Sequence, residues 1–67
     1  MLSGNLHREL MLLKDYHSKG IIEISGGWGK NHKLRLKLRQ LGYLENTGKS
    51  FTFFHCRLTA KGLVYPN

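Results

Sequence analysis

Sixty-seven residues carry eleven Lys and Arg against four Asp and Glu, a net charge of +7. A chain of this length buries only about 60% of its unfolded surface, so one domain over residues 1–67 is expected, without a large enclosed active site. It holds no run of about 18 apolar residues and no charged-then-apolar leader, and its one cysteine, Cys56, has no partner in the chain, so neither membrane span, signal peptide nor internal disulfide is expected and the setting is read as cytoplasmic.

In chain order, residues 5 to 19 have the spacing of a helix. Leu6, Leu10 and Leu13 recur at i, i+4 and i+7, and Tyr16 and His17 extend that side. Ser3 or Asn5 can cap its start, and Gly20 stands where a left-handed stop belongs. Residues 21 to 24, Ile-Ile-Glu-Ile, predict a short strand. Gly26, Gly27 and Gly29 around Trp28 make a connection. Residues 31 to 41 fit two periods. Leu34, Leu36 and Leu38 alternate with Lys and Arg as in a strand, whereas Leu34, Leu38 and Leu41 form a helical stripe. Helix is preferred: Leu, Lys, Arg and Gln are good helix formers, Leu41 breaks the alternation, and Gly42 is a natural stop. Residues 43 to 45 and 51 to 58 predict a hairpin around the polar turn Asn46, Thr47, Gly48, Lys49. Thr59 can cap a last helical turn over residues 60 to 64.

Charge is concentrated as well as abundant. Five of the eleven Lys and Arg fall at positions 30 to 39, with no acid among them. Such a field attracts polyanions, nucleic acid first and an anionic membrane surface second.

The order helix, short strand, basic helix, hairpin, short turn resembles a winged helix-turn-helix domain, an α+β fold. Two segments carry the likeness. Leu38-Arg39-Gln40-Leu41-Gly42-Tyr43-Leu44-Glu45 resembles the end of a recognition helix entering the first wing strand. Arg57-Leu58-Thr59-Ala60-Lys61-Gly62-Leu63 is similar to the segment that closes the wing in bacterial regulators of the MarR and PadR type. The family places a further helix before the recognition helix. Here only Ser25 to Lys30 lie in that position, three of them Gly, so that helix is absent, reduced to a turn or merged into the basic one. The resemblance implies double-stranded DNA as partner, with residues 31 to 41 in the major groove and the tip at residues 46 to 50 on the backbone. If Leu34, Leu38 and Leu41 face the core, Asn31, His32, Arg35 and Arg39 lie on one flank and the outer face. Arg35 and Arg39 then project side by side toward base edges. Lys30, Lys33, Lys37 and the tip residue Lys49 suit phosphates. A bacterial or phage transcriptional regulator, acting as a dimer or with another protein, is the function implied.

A protein-binding winged helix is the alternative. It would use the same basic helix, or an apolar patch of Trp28 and Phe54, to dock on an acidic partner within a nucleic-acid machine. Phe51 and Phe53 share the opposite strand face and are expected under the first helix. No enzyme, metal site or cofactor is expected. Glu9, Asp15, Glu23 and Glu45 fall in separate elements, and His7, His17, His32, His55 and Cys56 lack ligand spacing. Gly48-Lys49-Ser50 resembles the end of a phosphate-binding loop, but Tyr43 occupies the place of its first glycine. The glycines around Trp28, running into a helix start, are also a place where an anion such as a DNA phosphate can sit.

Overall fold

The leucine spacing of the first segment becomes α1, Gly4–Ser18, in the computed structural model, which describes residues 2, 4–25, 27–47 and 55–66. Leu10 and Leu13 are fully buried, and Leu6 and Tyr16 pack half-buried against the same core. The helix closes with paired backward hydrogen bonds. The Gly20 amide donates to the His17 carbonyl at 3.0 Å and the Ile21 amide to the Tyr16 carbonyl at 2.9 Å. That closure corrects the expected strand over residues 21 to 24. With its amide committed to the helix end, Ile21 cannot join a ladder, and it stays exposed together with Ile22. The strand β1 is Ile24–Ser25.

The basic segment is helical: α2 spans Gly29–Gln40. Helix propensity prevails over the Leu/Lys alternation, and the strand alternative is overturned. Among the described residues, no separate helix stands between β1 and α2. α2 ends by the same device as α1. Gly42 donates to the Arg39 carbonyl at 3.0 Å and Tyr43 to the Leu38 carbonyl at 2.9 Å. Gly42 adopts φ +91°, a conformation that costs an L side chain about 1–2 kcal/mol. Because the Tyr43 amide is taken, β2 begins one residue later than expected, at Leu44–Asn46.

The third strand, β3 (His55–Leu58), lies between the other two, giving an antiparallel sheet in the order β1-β3-β2. Ile24 and Asn46 both stand opposite Cys56, Glu45 opposite Arg57 and Leu44 opposite Leu58. Strand alternation turns Leu44, Cys56 and Leu58 inward onto Leu10, Leu13 and Leu38, and leaves Arg57 outside. The Thr47 amide donates to the His55 carbonyl at 2.7 Å, one rung beyond β2. The expected strand residues 51 to 54, with Phe51, Phe53 and Phe54, and the tip residues 48 to 50, with Lys49, lie outside the described residues.

As expected, Thr59 caps a final short helix, α3, Ala60–Leu63: its Oγ1 accepts from the Gly62 amide at 3.2 Å and donates to the Gly42 carbonyl at 2.6 Å. Gly62 is buried where a Cβ would fall on the Tyr43 carbonyl oxygen, so only glycine lets α3 approach the α2–β2 corner this closely. Tyr65 then closes the core from the C-terminal side. Its hydroxyl accepts from the Leu2 amide at 3.1 Å and hydrogen-bonds His7 Nδ1 at 2.8 Å, and its ring meets Tyr43 edge to face. Among the described residues the protein is thus a small α+β domain with three helices and a three-stranded antiparallel sheet.

Candidate nucleic-acid interface

α2 turns Leu38 and Arg35 toward the interior, while Leu34 and Leu41 are half-buried at its edges. This rotation corrects the expected role of Arg35. Its side chain is 9% exposed and points away from any outer face. The Nη1 donates to the Ser25 carbonyl at 2.7 Å, and Nε lies 3.7 Å from Oε2 of Glu9, whose side chain is 4% exposed. Burying a guanidinium is costly, and it persists here because a carboxylate from α1 and a carbonyl from β1 meet it. Arg35 therefore ties α1, β1 and α2 together and is removed from the set of base-contacting residues. Arg39 is half-buried rather than standing beside Arg35 on the outside. Burial pushes the Cys56 thiol upward, and the positive charges of Arg35 and Arg39 pull it part of the way back.

The other acids are also committed. Asp15 pairs with Lys19 at 3.0 Å, Glu23 lies 3.0 Å from His55 Nδ1, and Glu45 pairs with Arg57 across the β2–β3 ladder. Together with Glu9 these are the four carboxylate side chains of the chain. Several cations are likewise occupied. Lys14 donates to the Tyr65 carbonyl, and Lys61 donates to the Leu41 carbonyl at 2.8 Å while lying 4.7 Å over the Tyr43 ring.

Arg8, Lys30, Lys33 and Lys37 are exposed and make no ion pair among the described residues. Lys30, Lys33 and Lys37 recur at i, i+3 and i+7, on the side of α2 opposite Arg35 and Leu38. A groove of about 490 Å³ runs between α1 and α2. Arg8, Leu12 and the buried Glu9 line it from α1, Lys30, Lys33 and Leu34 from α2, and Asn5 and Asn31 add amides. Four cations therefore stand along one face built from two helices. Asn31 belongs to this face, whereas His32 is half-buried.

Arg8 was not legible as part of the site. In the sequence it is one scattered cation among several, and only the packing of α1 on α2 sets it beside Lys30 and Lys33. Trp28 provides the N-cap position of α2 with extended backbone (φ −131°, ψ 151°) but no side-chain cap, and the residue is 76% exposed. The patch partner expected for it, Phe54, lies outside the described residues, as does Lys49. Among the described residues no helix is long and apolar enough to cross a membrane. Comparison with protein families, with characterised proteins and with solved structures finds no match.

Proposed function

We propose that this chain binds double-stranded DNA as a small module of winged-helix type and works as a transcriptional regulator. The observation that carries the reading is the distribution of charge. All four carboxylate side chains are paired with basic groups elsewhere, and Arg8, Lys30, Lys33 and Lys37 remain uncompensated on one face of α1 and α2. Surface cations in one row repel each other and are balanced best by a polyanion. Support for the winged-helix type comes from the basic helix preceding the β2–β3 strand pair and from a sheet ordered β1-β3-β2.

In this mechanism α2 lies along the major groove with Lys30, Lys33 and Lys37 on phosphates, and Arg8 reaches the backbone from α1. Such contacts set position and orientation and carry no sequence information by themselves. With Arg35 inside the fold, base reading by α2 falls to Asn31, which is exposed, lines the groove and is able to pair with adenine.

Fluorescence anisotropy of a labelled duplex tests this. Four phosphate contacts predict a log–log salt slope near −3.6, and Lys33→Gln/Lys37→Gln should flatten it by about 1.8. Absence of duplex binding by the unaltered protein at roughly 50 mM salt would overturn the DNA reading and leave an acidic protein as the occupant of the same face.

A further inference from the structure

We infer that Trp28 is a stacking platform for an unpaired nucleobase, so that the nucleic acid this face prefers carries a single-stranded segment beside the duplex. The inference rests on the DNA reading and adds a ligand class to the same site. Trp28 is 76% exposed, at the N-terminal end of α2, and it is followed within one turn by Lys30 and Asn31 and after that by Lys33. A protein-docking tryptophan is ordinarily ringed by apolar side chains that exclude water. The four residues that follow Gly29 in the first turns of α2 are instead Lys30, Asn31, His32 and Lys33. An exposed aromatic ring followed closely in the chain by cations that can hold a phosphate backbone is a combination by which single strands are held.

The composition of α2 leads to the same ligand. Lys30, Lys33 and Lys37 hold phosphates, and Arg35, the side chain best suited to guanine, is buried against Glu9 and Ser25. Trp28 offers the largest π surface at this end of the helix. In a continuous duplex the base faces are covered by their neighbours, so an indole can stack only on a base that is unpaired or at an open end. Every base has a π face, and the selectivity expected is therefore for strandedness, not for sequence.

Trp28 is the chain's one tryptophan, so its own emission reports the contact. The protein is titrated with an oligothymidylate of about ten nucleotides and with a blunt duplex, following tryptophan fluorescence and the anisotropy of the labelled nucleic acid. Binding of the single strand should quench the emission. Trp28→Ala should weaken single-strand binding about fivefold or more while leaving duplex binding within about twofold, and Trp28→Phe should keep most of the single-strand affinity. Circular dichroism of both variants checks that the fold is kept, as an exposed position allows. Single-strand binding without quenching, duplex binding with no single-strand binding, or an Ala variant that loses both ligands equally or neither would overturn the stacking role while the DNA reading stands. If neither nucleic acid binds the unaltered protein, the DNA reading itself fails, and this inference with it.

Discussion

Replacing Arg35 with Ala removes the cation beside a carboxylate that has almost no access to water. Glu9 is 4% exposed at its side chain, and its Oε2 already makes no hydrogen bond among the described residues. Breaking a buried pair from one side costs about 3–5 kcal/mol, because the remaining charge is stranded. Loss of the charge-assisted bond from Nη1 to the Ser25 carbonyl, 2.7 Å long, acts in the same direction. A domain of this size has about 3–10 kcal/mol of total stability, so Arg35→Ala should lose most of it. At roughly 4–8 °C per kcal/mol for a small domain, the midpoint should fall by at least about 12 °C. Circular dichroism melting measures this directly. The double variant Glu9→Leu/Arg35→Met fills the same volume without charge and should be more stable than either single variant, with a coupling energy of about 0.5–3 kcal/mol. An Arg35→Ala protein that melts within about 2 °C of the unaltered one and instead loses DNA binding would refute the inward placement of this side chain.

Three further outcomes follow from the packing. Gly62→Ala should destabilise by about 1–3 kcal/mol in urea unfolding, because its Cβ meets the Tyr43 carbonyl and α3 must move; an unchanged midpoint would contradict the close approach. Tyr65→Phe removes the hydroxyl shared by the Leu2 amide and His7 Nδ1 and should cost about 1–2 kcal/mol in the same assay, with amide exchange accelerated most at the start of α1; uniform acceleration along the chain would argue against a local latch. Burial raises the Cys56 pKa, so the folded state holds the thiol proton more tightly than the unfolded one. That contribution is full below the unfolded value, about 8.5, and is lost as pH climbs through the raised folded value. Urea midpoints should therefore fall with rising alkaline pH, and the fall should be shallower in Cys56→Ala; equal slopes would exclude the thiol as the cause.

The parts of this fold legible in the sequence are those fixed within a few residues. The Leu10 and Leu13 stripe, the Gly20 and Gly42 stops and the Thr59 cap each depend on neighbours three to five positions away. Strand limits at residues 21 to 24 and 43 to 45 were misjudged because the Ile21 and Tyr43 amides close helices, a commitment that apolar runs do not register. Arg35 was misplaced for a reason of longer range. Three leucines suggested the inner face of α2, but α1 presents a buried Glu9 that draws Arg35 inward and leaves Leu34 at the groove edge. A signal existed: Glu9 lies one turn before Leu13 and Arg35 three residues before Leu38, so each charge borders an apolar stripe. Arg8 had no such signal, since its membership in the site comes entirely from how two helices pack.

Amide chemical-shift mapping during titration with a short DNA duplex is the most direct test of the charged face. The largest shifts should fall on Arg8, Leu12, Lys30, Asn31 and Lys33, which line the α1–α2 groove, and on Lys37 in the same lysine row of α2, and they should shrink as salt is raised. Shifts gathered instead on β1 and β3, around Ser25, His55 and Arg57, or no shifts at all at low salt, would contradict it.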